Sequence, residues 1–328
     1  MTERDKPDMA MRIADEAIGE RLDRALVRLF PDFSRSRLQT LLKSANIEVT
    51  DTRGNLLPAD PSMRVRGGEF VRLLEVPPSV QADVVAQPVP LDIIYSDEDI
   101  LVVNKPAGLV MHPAAGNPDN TVQNGLLHFD ERQRELPRAG IVHRLDKDTS
   151  GLFVVARTHR AYNSLIEQLQ TRSMGREYRA LVHGELIAGG SVDSPIGRHP
   201  VDRLRMAVRK DGKTALTHYR VLEKFRSLTL LNVKLASGRT HQIRVHMASL
   251  RYPLVGDQVY GGRRRTPAGL SDEVGKLVRE FPRQALHAHT LSLIHPEGER
   301  EVSWSAAEPD DFGMLLDTIR EQGKHREQ

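Results

Sequence analysis

Residues 143 to 151 read HRLDKDTSG, the densest run of ionisable and hydrogen-bonding side chains in the sequence. Apolar stretches flank this run, with Ile141 and Val142 before it and residues 152 to 155 after it. Short apolar stretches of this kind are typical of buried strands, which would hold the charged side chains on a rigid loop. A charged hairpin loop whose side chains bond to nearby backbone would have the same pattern, so both interpretations stay open.

The composition is that of an ordinary globular protein of 328 residues, 39% of which are hydrophobic, and this length favours two domains. Cysteine is absent, which excludes disulfides, thiolate metal sites and cysteine nucleophiles. The N-terminal residues are charged, and no apolar run approaches the roughly 18 residues that cross a bilayer. We therefore expect a cytoplasmic protein with no membrane partner.

Basic residues are concentrated in three segments, although the net charge is only +3. The segments are residues 21 to 43, residues 198 to 226 and residues 263 to 265. Such clusters can neutralise the phosphates of a nucleic acid, but solvated helix faces are charged as well. Charge alone therefore leaves an RNA interface and an ordinary surface as alternatives.

The N-terminal part of the sequence predicts a small domain over residues 17 to 76, after a flexible tail over residues 1 to 16. Two helices are indicated by apolar residues at helical spacing, namely Leu22, Ala25, Leu26 and Leu29 in the first and Leu38, Leu41 and Leu42 in the second. A hairpin that starts at Ile47 and a final strand from Glu69 to Val76 are expected to follow.

Residues 77 to 90 contain four prolines and little charge, as expected of a semi-rigid linker. In residues 91 to 328, short strands outnumber helices. The predicted strands are Ile93–Tyr95, Ile100–Val103, Arg176–His183 and Leu228–Leu235. Helices are expected at His159–Gln170 and after about Pro309. We predict an α+β fold with a mostly antiparallel mixed sheet.

A second polar motif, SGRTHQIRVH at residues 237 to 246, follows the last of these strands and leads into a helix. Arg239 is thus placed at a strand-to-helix junction, where a guanidinium can bind a carboxylate, keep it ionised and fix its orientation. A structural arginine at a turn is the alternative. His241 and His246 are poorly spaced to share a metal on one helical face, so no metal site is predicted.

Phosphate-loop, HExxH and GxSxG motifs are absent from the sequence, which argues against several common enzyme classes. Five motifs together resemble the ribosomal large subunit pseudouridine synthases. They are NKPAGLVMHP at 104–113, HRLDKDTSG at 143–151, REY at 176–178, GRTHQIRVH at 238–246 and PLVGDQVYGG at 253–262. The N-terminal helices and hairpin resemble an S4 RNA-binding domain, on the segments 21–23, 34–37 and 47–49.

This resemblance implies a pseudouridine synthase fold and an isomerase that detaches uracil from C1′, rotates it and reattaches it through C5, without a cofactor. Asp146 would be the essential carboxylate, as nucleophile or as base, and Arg239 would pair with it. Tyr178 would stack on the uracil and help to remove the C5 proton, although a strand tyrosine is otherwise read as a core residue. Arg144 would hold or replace the nucleotide that is extruded from the RNA.

Within this family the match is to the type that carries an S4 domain and modifies uridines in the helix 69 stem-loop of 23S rRNA. The expected partner is large-subunit ribosomal RNA or an assembling large subunit, bound by a monomer. The predicted RNA contacts in addition to Arg144 are basic side chains, namely Arg21, Arg35, Arg37, Lys43, Arg198 and Arg263.

Three other functions stay open. The first is a noncatalytic S4-type RNA-binding or ribosome-assembly factor that keeps the fold without the activity. The second is a related synthase that acts on other rRNA or tRNA uridines. The third is a glycoside or nucleoside hydrolase that uses Asp146 and Asp148 as its acid pair and releases free uracil.

Overall fold

The structure, a computed structural model, describes residues 11–30, 33, 35–74, 84–114, 116–202, 204–262, 269–298 and 300–324, without the side chains of residues 36, 37, 323 and 324. The chain divides into two compact units, one that ends at Asp83 and one that begins at Val84. No described helix combines the length and the apolar character that a membrane span requires.

The N-terminal unit contains two helices and a three-stranded antiparallel sheet. Its elements are β1 (Met11–Arg12), α1 (Leu22–Leu29), α2 (Arg35–Lys43), β2 (Ile47–Thr50) and β3 (Phe70–Leu73), with a 3-10 helix at Asp15–Ala17. β3 lies between β1 and β2. The apolar stripes of the two helices are buried in one core with the strands, which confirms both predicted helices.

The prediction of a flexible tail is wrong for residues 11 to 16. β1 pairs with β3, and Ile13, which is 1% exposed, belongs to the core of the unit. The partner strand is distant in the sequence, so no local pattern indicates the pairing. Residues 1 to 10 lie outside the described part of the chain.

The predicted hairpin after Ile47 is present only in reduced form. Thr50 and Leu56 form a single antiparallel bridge, whereas the whole length of β2 pairs with β3. The predicted final strand, Glu69 to Val76, is observed as β3, which begins at Phe70 and ends at Leu73. Residues 75 to 83 are not among those that the structure describes.

The linker prediction is wrong for residues 84 to 90. Val84 and Ala86 pack against the core of the second unit. The side-chain amide of Asn124 donates to the carbonyl of Val85 at 2.8 Å, and the backbone NH of Gln87 donates to the carbonyl of Asn124 at 3.1 Å. These contacts make the segment part of the second unit. Residues 77 to 83 lie outside the described residues.

The second unit contains the remaining elements. Its strands are β4 (Asp92–Ser96), β5 (Ile100–Lys105), β6 (Ser150–Ala156), β7 (Gly175–His183), β8 (Gly190–Asp193), β9 (Ile196–Arg198), β10 (Met206–Val208), β11 (Leu216–Phe225), β12 (Leu228–Leu235), β13 (Leu286–Ile294) and β14 (Glu301–Ser305). Its α-helices are α3 (Val122–Phe129), α4 (His159–Thr171), α5 (Gln242–Ser249), α6 (Asp272–Glu280) and α7 (Asp310–Lys324), and 3-10 helices lie at Glu131–Glu135 and Pro137–Gly140.

The main sheet of this unit has nine described strands, in the order β4-β5-β6-β13-β7-β12-β11-β8, and β14 pairs with β13. Every pairing is antiparallel except that of β6 with β13, which is parallel. The predicted α+β fold with a mostly antiparallel mixed sheet is therefore confirmed. β9 and β10 form a separate two-stranded hairpin.

Several apolar cores hold the elements of this unit on its central strands. One contains Tyr178 of β7, Val233 of β12 and Ile243 of α5. Another contains Val154 of β6 and Leu165 of α4, and a third gathers residues of α6 and α7. The first of these cores meets the charged loop before β6, and the candidate site lies at that junction.

Candidate active site

The charged loop predicted at residues 143 to 151 leads directly into β6, the strand parallel to β13. Ile141, just before the loop, forms an antiparallel bridge with Val155 of β6, so the chain on the two sides of the loop is paired. The backbone NH of Thr149 donates to the carbonyl of Asp146 at 3.1 Å, which closes a turn within it. The loop is therefore fixed at both ends.

Side chains from β13 and from the segment just before it hold the second half of this loop. Arg283 donates to the carbonyl of Asp148 at 3.2 Å, and the amide of Gln284 donates to the hydroxyl of Thr149 at 3.1 Å. Ser150 Oγ lies 3.0 Å from Nδ1 of His287, a residue of β13. These contacts hold positions 148 to 150 in place and so fix the shape of this half of the loop.

Lys105, at the end of β5, joins the loop to a neighbouring turn. The residue is 1% exposed, and its amino group donates at 2.8, 2.9 and 2.9 Å to the carbonyls of Pro106, Leu109 and Lys147. Burial lowers the pKa of Lys105 to about 7. Because an ammonium group has three donors, the three carbonyls satisfy it completely and fix the backbone beside Asp146.

Asp146 is held in the loop with its side chain 16% exposed, and it forms an ion pair with Arg244 of α5. Nη1 of Arg244 donates to Oδ2 of Asp146 at 3.2 Å. Nε2 of His241 lies 3.9 Å from the other carboxylate oxygen. The carboxylate is thus fixed on one side by a cation and remains accessible on another.

Arg244 is itself anchored by Asp257, whose side chain is fully buried. The guanidinium donates from Nε and Nη2 to the two carboxylate oxygens of Asp257, at 2.7 and 2.9 Å. Burial alone would lower the pKa of Arg244, but the bonds and charges of Asp257 and Asp146 raise it above its usual range. Arg244 therefore stays charged and holds Asp146 in one position.

The predicted pairing of Arg239 with Asp146 is wrong. Nε of Arg239 donates to the carbonyl of Thr214 at 3.1 Å, and no ion pair joins Arg239 to Asp146 among the described residues. His241, at φ +56°, turns the chain before α5 begins and separates Arg239 from the helix that carries Arg244. A signal for Arg244 was present in the sequence, because an arginine between apolar helical residues must be buried and needs carboxylates.

Tyr178 lies on β7, opposite Val233 of β12, and is 6% exposed. Burial raises the pKa of Tyr178, Arg176 lowers it and Asp146 raises it further. Its hydroxyl has no hydrogen-bond partner in the described part of the chain. The ring therefore packs in the core, and the charge of Asp146 nevertheless acts on its hydroxyl.

The two residues that precede Leu145 in the loop differ in their surroundings. His143 accepts a hydrogen bond at Nε2 from the backbone NH of Val154 at 3.1 Å, and burial lowers its pKa to about 3. The imidazole is therefore neutral and supports the loop. Arg144 is exposed, and no ion pair or hydrogen bond involves its side chain among the residues that the structure describes.

Tyr260 forms a wall of the site for which the sequence suggested no role. Its hydroxyl lies 2.9 Å from Nδ1 of His241 and accepts a bond from the backbone NH of Met206 at 2.8 Å. The guanidinium carbons of Arg244 and Arg205 lie 5.1 and 5.3 Å from the centroid of its ring. The hairpin of β9 and β10 is thereby attached to the residues around Asp146.

Of the predicted RNA contacts, Arg21 and Arg35 both bind one carboxylate in the N-terminal unit. Nε of Arg21 and Nη2 of Arg35 lie 3.1 and 2.9 Å from the oxygens of Asp23, which is fully buried. Burial would raise the pKa of Asp23, but the bonds from Arg21, Gln39 and Arg35 lower it to about 2. Both arginines are still partly exposed.

The other predicted RNA contacts are placed as follows. Lys43 and Arg198 are exposed. The side chain of Arg37 and the whole of Arg263 lie outside the described residues. Within the described chain, no group of three or more histidine, aspartate or glutamate side chains is placed to bind a metal ion.

Comparison with known proteins places this site in a family. The model of the RNA pseudouridylate synthases matches residues 99–249. A "Ribosomal large subunit pseudouridine synthase D" of Xylella fastidiosa is 51% identical over 94% of this chain and 92% of that protein. A protein of the same name from Salmonella typhimurium is 50% identical over 94% of this chain and 93% of its own length.

Solved structures agree with this assignment. Human RNA pseudouridylate synthase domain containing 1 is 25% identical, with a TM-score of 0.52 over 72% of this chain and 96% of that chain. Human RNA pseudouridylate synthase domain containing 4 is 27% identical, with a TM-score of 0.53 over 70% and 93%. The chain therefore belongs to the RNA pseudouridylate synthase family of isomerases.

Proposed function

We propose that this enzyme converts uridines of large-subunit (23S) ribosomal RNA into pseudouridines, within the helix 69 stem-loop. The observation that carries the proposal is the partly exposed carboxylate of Asp146, held by Arg244 beside the buried phenol of Tyr178. The choice of RNA is supported by the relatives named ribosomal large subunit pseudouridine synthase D, which align with 94% of the chain.

Asp146 starts the reaction. It attacks C1′ or removes a proton from the sugar, and both steps require the ionised carboxylate. Arg244, fixed by two bonds to Asp257, favours the ionised form and keeps one oxygen aimed away from the guanidinium. The C1′–N1 bond breaks, and its electron pair leaves with the uracil.

Tyr178 keeps the detached uracil in the site by stacking on it. After rotation, C5 bonds to C1′ while the Asp146–C1′ bond breaks or, in the alternative route, while Asp146 returns the proton to the sugar. C5 then loses its proton and N1 takes one up, so the product is an isomer of the substrate. The Tyr178 hydroxyl, which has no partner among the described residues, is available for the transfer of the C5 proton.

Arg144 assists the extrusion of the uridine from the folded RNA. A uridine stacked in a loop or stem cannot present C1′ to a carboxylate inside a protein, so the nucleotide must leave the stack. Arg144 is exposed two residues before Asp146. In this proposal its guanidinium fills the gap that the nucleotide leaves or binds the flanking phosphate.

The RNA is held outside the site by basic side chains. Lys43 and Arg198 are exposed, and Arg21 and Arg35 are partly exposed beside Asp23. We include Arg37 and Arg263 on the basis of the sequence alone. In this proposal the S4-like unit binds a second portion of the RNA, and the enzyme acts as a monomer.

The test is to incubate the enzyme with unmodified 23S rRNA and with the isolated helix 69 stem-loop, and to map pseudouridines. We expect conversion in that stem-loop, and loss of conversion with retained RNA binding for Asp146→Asn. Asp148→Asn, in the same loop, is the matched control and should stay active. Full activity of Asp146→Asn, or pseudouridines only in other RNAs, would contradict the proposal. Release of free uracil by the wild type, and its loss in Asp148→Asn, would instead indicate a hydrolase.

A further inference from the structure

The side chain of Arg176 is buried beside the site without a partner. Arg176 is 6% exposed, and its Nε has no hydrogen-bond partner. Neither an ion pair nor a hydrogen bond involves its guanidinium in the described part of the chain. Arg244 and Arg283, which are equally buried, each bind a carboxylate through two nitrogens.

This arrangement is costly for the free protein. A buried guanidinium loses its hydration and regains nothing unless it meets an anion or several acceptors. Burial lowers the pKa of Arg176 accordingly, and only Tyr178 opposes that effect. A cost that the free protein does not compensate is typical of a group that meets its partner in a bound ligand.

The position of Arg176 identifies the ligand. Arg176 and Tyr178 are two residues apart on β7, so their side chains project from the same face of the sheet. The charge of Asp146 raises the pKa of Tyr178, and the charge of Arg176 acts on both Tyr178 and His143, so Arg176 lies beside the ring and beside the loop. A base that stacks on Tyr178, with its ribose at Asp146, therefore lies on the face of β7 that carries Arg176.

Gly238 gives the guanidinium its space. A Cβ at position 238 would lie 2.9 Å from Nη1 of Arg176. The φ angle of Gly238 is not in the left-handed region, so the backbone itself would accept alanine. A side chain at position 238 would therefore displace the guanidinium of Arg176 from the place that it occupies.

We propose that Arg176 donates hydrogen bonds to a carbonyl oxygen of the extruded uracil and stabilises the uracil anion while the base is detached. This inference rests on the proposed function. When the C1′–N1 bond breaks, its electron pair stays on the uracil and its charge spreads over N1, O2 and O4. The guanidinium binds O2 or O4 until an electron pair of the ring forms the C5–C1′ bond. C5 then releases its proton and N1 is protonated.

The first experiment compares the stability and the activity of Arg176→Gln. We expect its thermal midpoint to equal or exceed that of the wild type, because an uncompensated charge is removed. Its single-turnover rate on the RNA should fall about 100-fold, the usual effect of losing one donor to a developing anion. Arg157→Gln, which breaks the ion pair of a half-buried arginine with Asp130 away from the site, should lower the midpoint and leave the rate of the folded enzyme unchanged.

Gly238→Ala provides a second variant that should fold. The added methyl group displaces the flexible end of Arg176, so the rate should fall at least about tenfold. The same change in an Arg176→Gln background should have little further effect. A midpoint of Arg176→Gln as low as that of Arg157→Gln, or additive rate effects of the two substitutions, would contradict the proposal.

A substrate series identifies the atom that Arg176 binds. RNA with 2-thiouridine or 4-thiouridine at the target carries sulfur, a weak acceptor, in place of O2 or O4. One of the two should slow the wild type at least about tenfold more than Arg176→Gln. Methylphosphonates at the linkages that flank the target should slow the wild type and Arg176→Gln equally. If the two enzymes differ with methylphosphonate RNA and not with thiouridine RNA, Arg176 binds a phosphate and the proposal is wrong. Wild-type conversion of unmodified RNA tests the proposed function alone, since the inference depends only on ratios and midpoints.

Discussion

Arg244 donates a hydrogen bond to Asp146 at 3.2 Å, across 98 residues of sequence, with a guanidinium that Asp257 already holds by two shorter bonds. The pair is therefore asymmetric. Asp257 is fully buried and determines where the guanidinium lies, whereas Asp146 is partly exposed and uses the one nitrogen that remains. One oxygen of Asp146 is thus held by Arg244, while the partly exposed carboxylate can still react with a substrate.

Separate substitution of each of the two arginines in the GRTHQIRVH motif tests this relationship. Arg244→Gln should abolish pseudouridine formation and destabilise the second unit by roughly 3 to 5 kcal/mol, because Asp257 becomes an unpaired buried charge. Arg239→Gln loses a bond to the Thr214 carbonyl and should stay within about tenfold of wild-type activity. Chemical denaturation and single-turnover assays measure both effects. Equal losses for the two variants would show that the contacts of Arg244 with Asp146 and Asp257 do not determine function.

The buried imidazole of His143 should make the enzyme sensitive to acid. Its pKa is about 3 in the folded protein and 6.5 in the unfolded chain, so the unfolded state binds more protons between these values. The contribution of His143 to the free energy of unfolding is complete above pH 6.5 and is lost as the pH falls towards 3, by up to about 5 kcal/mol.

Urea unfolding at a series of pH values measures this effect. His143→Gln should flatten the decline of unfolding free energy below pH 6.5. His128→Gln, at the exposed end of α3, serves as the control. The hypothesis of a buried neutral imidazole fails if both variants follow the wild-type curve.

Gly151 should be irreplaceable because the parallel contact of β6 with β13 depends on it. Its φ is +113°, and a Cβ there would lie 2.3 Å from the carbonyl oxygen of Ala288. Gly151→Ala should therefore separate the strands and prevent the second unit from folding, visible as loss of soluble, protease-resistant protein. Gly298→Ala has φ +76° and open space, so it should cost only about 1 kcal/mol. Similar behaviour of the two variants would contradict this prediction.

The buried carboxylate of Asp23 should stabilise the N-terminal unit. Asp23→Ala removes the acceptor shared by Arg21, Arg35 and Gln39, at a cost on the order of 1 to 3 kcal/mol. Hydrogen exchange of the amides in α1 and α2 measures the change locally. Glu16→Ala, at an exposed position, is the control and should leave exchange unchanged. Faster exchange in both variants alike would indicate that Asp23 has no special role.

Much of the fold follows from local sequence. The stripe of Leu22, Leu26 and their neighbours gives α1 because helical periodicity collects apolar side chains on one side. The strand predicted at Leu228–Leu235 is observed with the same bounds, since a mainly apolar stretch of this length suits a strand that is buried between two others. The loop at 143 to 151 was also identifiable, because charged side chains cannot continue a buried strand and are confined to the connection before it.

The tertiary structure decided what depends on distant parts of the chain. β1 exists because β3 offers a free edge, and residues 84 to 90 are ordered because the second unit has acceptors and apolar surface for them. The GRTHQIRVH motif contains two arginines. The turn at His241 determines that Arg244, and not Arg239, reaches Asp146. The missing partner of Arg176 is likewise visible only in three dimensions. Periodicity and composition are local properties, whereas the pairing of charges depends on which side chains folding brings together.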